Sequence, residues 1–355
     1  MVVSLVLIFI ASLTLSFFEE RLNERDKLIL YSLIGFAMIL VAGLREPGST
    51  PDSEGYEMML QGNTNETLEE ATEPTFIFIC SIINSLSLGV NALFLTYAFI
   101  SIPIHLFALW KLSKKPFLTL TIYISYYYMI HEMVQIRAGV AAALFLCAIY
   151  FYVEKKKTHA LGCILIGVLF HYSATIGLVI FLMRDKIPVW QTYILYLVVP
   201  IGLMAYFTNL DISFLIPNEI GGAKLAAYRN LKDMGIEEVQ SGIRFEGNPI
   251  IWINIILYYA SIYYREYLNK YCKYTHIAIK VQAFAFCCLF FINGFSQVVG
   301  NRFNDYFSVA SIILWTASFY AFQPQLLSKI VSNTISTVRF VASILIYALS
   351  LLSLE

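Results

Sequence analysis

The chain has 355 residues, of which 59% are hydrophobic and 14% charged, with 24 basic and 24 acidic side chains. At a mean hydropathy of +0.69 it carries too little polar surface to cover a soluble globule of that size, so it reads as an integral membrane protein. Zero net charge and the lack of basic runs interleaved with stacking aromatics give no sign of a nucleic-acid partner.

Apolar segments recur from end to end, at roughly 2–18, 28–44, 92–110, 116–131, 137–153, 189–207, 248–264, 276–298, 305–322 and 335–352. Each is near the ~20 residues that a helix needs to cross a bilayer. The joints between them are mostly short, which predicts one all-α domain over 1–355, a polytopic membrane helix bundle of about 10–12 transmembrane or re-entrant helices. The first segment has no basic leader before it and no small-residue cleavage site after it, so it is expected to be a retained span.

Two further runs, 75–90 and 158–183, have ambiguous lengths, and the charges of the joints bear on them. The basic joints are Arg21/Arg25/Lys27, Lys111/Lys114/Lys115, Lys155/Lys156/Lys157, Arg184/Lys186, Arg265/Lys270/Lys273 and Lys329. Basic short loops mark the cytoplasmic side. All six share it only if each ambiguous run enters and returns or lies on the surface. For 158–183 the expected break is around His171, giving two half-helices of about twelve residues, tolerated where broken backbone lines a protein cavity; a single crossing would invert everything after it.

This topology turns both termini outward, together with loops 45–74, 131–137, 208–247 and 299–304. In 208–247, Lys224, Arg229, Lys232, Arg244 and Glu246 alternate with Leu225, Tyr228 and Leu231 at helical spacing, predicting an amphipathic surface helix able to act as a lid. Asp211, Glu237 and Glu238 read as a solvated surface. The tyrosine clusters 126–128, 258–259 and 263–264 sit near span ends, as interfacial aromatic belts do. The six cysteines form no CxxC pair and are expected to be packing residues. No internal repeat is visible, which weighs against an inverted-repeat transporter.

The outward side collects ionisable and polar groups that are costly in or at a bilayer and are functional candidates by default. They are Arg45, Asp52, Glu54 and Tyr56; His131, Glu132, Gln135 and Arg137; His171; and Arg302, Asn304, Asp305 and Tyr306. The alternative for Arg45 and Arg302 is snorkelling to headgroups, and for His171 a satisfied core histidine. Several arginines around one pocket suit a polyanion, because guanidinium forks match phosphate oxygens. No GxxxxGK[ST] or GxGxxG loop points to a nucleotide. No acidic cluster has metal-ligand spacing, so the expectation is arginine neutralisation with no metal and no cofactor.

In order, GLR at 43–45 followed by Asp52 and Tyr56, QIRAGVA at 135–141, LFHYSA at 169–174 and NRFNDYF at 301–307 resemble the EpsG-like branch of the Wzy-type (O-antigen) polysaccharide polymerases. The similarity runs from residue 43 to about 307. It departs at Gln135-Ile136-Arg137, where the family often has Arg-Gln, and its Arg-hydrophobic-x-x-Tyr-Phe pattern appears here as Arg302-Phe-Asn-Asp-Tyr306-Phe. The resemblance implies joining of oligosaccharide repeats carried on undecaprenyl pyrophosphate, for lipopolysaccharide O-antigen or another surface polysaccharide. The work would take place at the periplasmic face of the bacterial inner membrane, with a chain-length regulator as an expected partner.

On that reading Arg137 and Arg302 stabilise the departing pyrophosphate, with Arg45 as a third clamp. The base is sought among His171, His131, Glu132 and Asp52, with His171 the first choice because an imidazole titrates near neutrality. Arg45, Asp52, Tyr56, Gln135, Arg244, Asn301, Asp305 and Tyr306 are expected to contact pyrophosphate or sugar. The competing readings are a membrane O-acyltransferase using His171, a lipid-linked oligosaccharide flippase, and the O-antigen ligase, which differs only in its acceptor.

Overall fold

The computed structural model describes residues 1–50, 52–62, 72–210, 245–294 and 296–352. The expected lid helix, with Arg244, and residues 63–71 of the first outward loop lie outside the described residues. Among those described there are helices and no strand, and seven helices are long and apolar enough to cross a membrane.

In chain order the α-helices are α1 (Val2–Phe18), α2 (Glu24–Gly43), α3 (Ser53–Leu60), α4 (Pro74–Ser85), α5 (Val90–Leu112), α6 (Pro116–Ile124), α7 (Ile136–Val153), α8 (Lys157–Phe170), α9 (Val189–Phe207), α10 (Pro249–Tyr263), α11 (Arg265–Tyr271), α12 (Thr275–Ile292), α13 (Gln297–Ser308), α14 (Ser311–Ser318) and α15 (Gln325–Leu352). A π-helical stretch, Met129–Val134, precedes α7, and a 3-10 helix, Tyr172–Leu182, follows α8. Helices α7 and α12 are buried over most of their length and run through the centre of the bundle, whereas α1, α9 and α15 turn Leu7, Ile10, Val189, Trp190, Val338 and Val341 outward, as helices facing lipid do.

The six basic joints gather at one end of the bundle. Lys115 and Lys329 both bond Glu20, Lys273 pairs with Glu154 at 2.5 Å, and Lys155 pairs with Asp185 at 2.5 Å. A cavity of about 440 Å³ at the same end is bordered by Lys111, Lys114, Lys270 and Lys273. The Lys155–Asp185 pair decides the ambiguous run 158–183. Its two ends meet, so α8 rises to His171 and the 3-10 helix returns. The run 75–90 is the twelve-residue α4 followed by the start of α5.

Three expectations need correction. The outward loop 299–304 is helical and belongs to α13, and the expected span 305–322 is broken at 309–310 into the end of α13 and α14. The break is stabilised by Tyr127, whose hydroxyl donates to the Ser308 carbonyl (2.5 Å) and bonds Ser311 Oγ (2.7 Å), because a carbonyl freed inside a membrane must find a partner. The Tyr126–Tyr128 cluster is therefore core rather than belt, and Tyr258 is equally buried; Tyr263 and Tyr264 alone among these are exposed.

The π-helical stretch meets α7 without space between them. A Cβ placed on Gly139 would overlap the His131 carbonyl oxygen, which is backbone and has no rotamer to adopt. Gly139→Ala is expected to destabilise the solubilised protein by about 1–3 kcal/mol, read as a lower thermal midpoint. Gly162→Ala, where a Cβ meets nothing within 4 Å, is expected to leave the midpoint unchanged or raise it.

Candidate functional site

At the end opposite the basic joints, three helix ends converge on one carboxylate. Glu73 is the N-cap residue of α4, with Pro74 fixing the first helical turn. Its side chain is fully buried. Oε2 accepts from Arg137 Nη1 at 2.5 Å, and Oε1 accepts from His171 Nδ1 at 3.0 Å and from the Tyr172 backbone N–H at 3.4 Å. Arg137 stands in the first turn of α7. His171 is the residue at which α8 stops, with extended backbone angles (φ −156°, ψ 112°). One carboxylate thus neutralises a cation, orients an imidazole and satisfies the first orphan N–H of the 3-10 helix.

The bond to His171 has a chemical consequence. With Nδ1–H donated to Glu73, the neutral ring carries its lone pair on Nε2, the arrangement that makes an imidazole a directed proton acceptor.

Aromatic rings frame the cation. The Arg137 guanidinium lies 5.0 Å from the Phe76 ring centroid and 5.6 Å from that of Tyr56, within cation–π range. Tyr56, on α3, is buried, which raises its phenol pKa, and it interacts with Arg137, Asp52 and Arg302. Arg302 Nη2 is 3.9 Å from Asp52 Oδ2. The loop carrying Asp52 is shaped by a turn over Glu46–Ser49, closed by Ser49 N–H to the Glu46 carbonyl (3.1 Å) and having Gly48 at φ +78°, a conformation glycine adopts without Cβ strain. Thr50 then anchors the loop to the Met133 carbonyl at 3.1 Å.

Arg45 is buried and does not snorkel. Its guanidinium packs 3.6 Å from the Phe94 ring centroid and donates to the Ala42 carbonyl; burial pulls its pKa down to about 10, so it stays charged at neutral pH. Among the described residues Nε and Nη2 have no hydrogen-bond partner. Beside this group, Asp305 accepts from Tyr126 and from Gln135 Nε2, both at 3.4 Å.

The structure brings Arg45, Asp52, Tyr56, Gln135, Arg137, His171, Arg302 and Asp305 to this end and turns others away. His131 is fully buried between Tyr127 and His105, with centroids 6.0 and 6.1 Å away. Glu132 is also buried, and its Oε1 is 2.9 Å from His105 Nδ1, 2.9 Å from Ser101 Oγ and 2.6 Å from Tyr123 Oη. Neither reaches the Glu73 group, because the π-helical stretch rotates both into the bundle. Tyr306 packs on Phe145 and Phe307 in the core. Asn301 lies one residue before Arg302 on α13.

Sequence reasoning missed Glu73, His105 and Arg339. Glu73 precedes a proline at a helix start and looks like an ordinary capping acid. The other two are ionisable residues inside apolar runs, where the cost of a buried charge was the available signal.

Removing one partner of a buried ion pair leaves the other charge uncompensated, at a cost of about 3–5 kcal/mol. Glu73→Ala alone is expected to lower the unfolding midpoint more than the Glu73→Ala/Arg137→Met double substitution does. Equal midpoints for the two variants would count against the pairing.

The model of the EpsG family matches residues 28–354. No curated protein and no solved structure matches the chain. A match across that much of the sequence, on an all-helical membrane bundle, places the chain among polysaccharide-polymerase-like membrane proteins: it belongs to the EpsG family.

Proposed function

We propose that the protein joins oligosaccharide repeat units carried on undecaprenyl pyrophosphate into a surface polysaccharide, at the outer face of the bacterial inner membrane. The observation that carries this reading is the Glu73 carboxylate bonded at once to His171 and Arg137, with Arg302, Arg45 and Tyr56 around it. The outward orientation follows from taking the basic end as cytoplasmic. A chain-length regulator is the expected protein partner.

In the reaction a sugar hydroxyl of one lipid-linked repeat attacks the anomeric carbon of the growing glycan. A glycosidic C–O bond forms while the C–O bond to pyrophosphate breaks. The hydroxyl proton passes to His171 Nε2, and the pyrophosphate departs with its bonding electron pair. Glu73 keeps the imidazole in the accepting tautomer and stabilises the imidazolium that results. Negative charge grows on the leaving group, and Arg137 and Arg302 act on it, with Arg45 as a third cation; donors fixed in advance are most effective where charge develops only in the transition state. Arg137 gives one nitrogen to Glu73 and retains further N–H groups for a phosphate. Asp52, Gln135 and Asp305 are placed as sugar-hydroxyl partners, and Arg244, Asn301 and Tyr306 remain candidates of the same kind.

The test is the polymer ladder on a gel from cells deleted for the gene and complemented at matched membrane levels. Deletion is expected to leave single-repeat glycans, and wild type to restore the ladder. Arg137→Ala and His171→Ala are expected to lower polymer formation by roughly 10²–10³-fold. Normal ladders from Arg137→Ala at normal protein level contradict the site. Loss of a glycan modification with the ladder intact would replace the reading with an acyltransferase, and repeats accumulating on the cytoplasmic side would replace it with a flippase.

A further inference from the structure

Arg339 is the largest fully buried side chain in the bundle and lies mid-way along α15. At the basic end of this helix Lys329 bonds Glu20 at 2.8 Å. Towards the other end Tyr347 neighbours Arg45, and its separation of eight residues from Arg339 spans about 12 Å of helix. Around Arg339, Phe9 stacks on Phe340 with centroids 4.1 Å apart, and Ser343 Oγ reaches the Ser125 carbonyl at 2.7 Å. The residue is therefore at the depth of the bundle centre, far from either surface.

Among the described residues no carboxylate pairs with it. The guanidinium carbon is 5.6 Å from the ring centroid of Tyr127 and 5.4 Å from that of Trp315. Among the described residues Nε, Nη1 and Nη2 have no hydrogen-bond partner and the side chain has no ion pair. Two aromatic faces return only part of what a guanidinium loses on leaving water, and a cation retained at such depth is a functional candidate. Buried acids of the bundle are matched: Glu73 by Arg137, and Glu132 by His105, Ser101 and Tyr123, whereas Arg45 shares with Arg339 an aromatic neighbour and guanidinium nitrogens without a partner among the described residues.

Arg339 is joined to the candidate site by a short series of contacts. The rings of Tyr127 and Tyr126 are 5.1 Å apart, and Tyr126 bonds Asp305, which also meets Gln135. A fixed cation lying one aromatic layer beneath those residues raises the potential of the region above it, against the carboxylate of Asp305, and low-dielectric surroundings carry that field further than water would.

We propose that Arg339 is a binding residue acting at a distance, an unneutralised cation under the site whose counter-charge is the pyrophosphate of an isoprenoid-linked ligand. The proposal rests on the anion-binding half of the function proposed above. It adds a residue on the last helix, outside every motif that carries the family resemblance. A unit charge about 12 Å from an anion, at an effective dielectric near 20, changes its binding constant by about tenfold per ligand charge. Because Arg339 acts through its field in bound and activated ligand alike, its loss raises KM and leaves kcat nearly unchanged.

The experiment uses the detergent-solubilised full-length chain with farnesyl pyrophosphate, farnesyl monophosphate and inorganic pyrophosphate as probes, by calorimetry and thermal unfolding. Arg339→Met removes the charge and keeps the approximate volume, while Arg339→Lys keeps the charge. Arg339→Met is expected to bind farnesyl pyrophosphate at least tenfold more weakly, to weaken the monophosphate less, and to unfold without ligand at the same or a higher temperature, since replacing an unpaired buried charge by a packed apolar side chain relieves strain. Arg339→Lys is expected to bind as wild type does. Unchanged affinity in Arg339→Met, or a lower unliganded midpoint with affinity kept, overturns the proposal and leaves the polymerase reading standing. Inorganic pyrophosphate binding as well as farnesyl pyrophosphate would make the recognised group the free anion and overturn the lipid-linked part. Wild type binding none of the three overturns both.

Discussion

The arrangement of this end of the bundle depends on Glu73 having nowhere to send its charge except to other side chains. A buried carboxylate in a membrane protein must be matched, and the partners of Glu73 among the described residues include Arg137 at the start of α7, and His171 and the Tyr172 backbone at the break after α8. That requirement fixes where α4 begins relative to α7 and why the run 157–182 turns back at His171. It also sets the imidazole tautomer, so the same interaction that organises the fold prepares the chemistry.

Broken helices recur around this point, and the freed backbone groups find partners within the protein. The freed carbonyl of Ser308 between α13 and α14 takes the Tyr127 hydroxyl. The π-helical stretch gives one wide-turn bond, from the Gln135 amide to the Ile130 carbonyl at 2.8 Å, and that widening sends His131 and Glu132 inward while Gln135 and Arg137 stay at the end surface. Irregular backbone is tolerated in a membrane where protein supplies the missing partners. Between α13 and α14 that partner is Tyr127, while Tyr128 bonds the Met38 carbonyl and Tyr126 bonds Asp305, so the cluster finds its hydroxyl partners in the core rather than at the interface.

Much of the architecture was legible because it follows from composition and length: seven of the ten expected spans, the common end of the basic joints and the break at His171 all come from apolar run lengths and charge placement, while 116–131, 248–264 and 305–322 form shorter or broken helices. What periodicity does not encode is how far a helix continues past a polar motif, so residues 299–304 passed for a loop although Ser296 caps a helix there, accepting from Val299 N–H at 3.3 Å. Side-chain direction was equally hidden. His131 and Arg137 are six residues apart in one polar stretch, and only the π-helical turn separates a core histidine from a site arginine. Glu73 was hidden by its ordinary setting before a proline, whereas Arg339 stood in plain view in an apolar run.

The most direct test of the central claim is the nitrogen-15 spectrum of imidazole-labelled protein, with His171 assigned by comparison with His171→Gln, recorded at a pH where the ring is neutral. Glu73 bonded to Nδ1 predicts a proton on Nδ1 and a lone pair on Nε2 for His171, and loss of that preference in Glu73→Ala. A His171 ring protonated on Nε2, or a spectrum that Glu73→Ala leaves unchanged, would contradict the account.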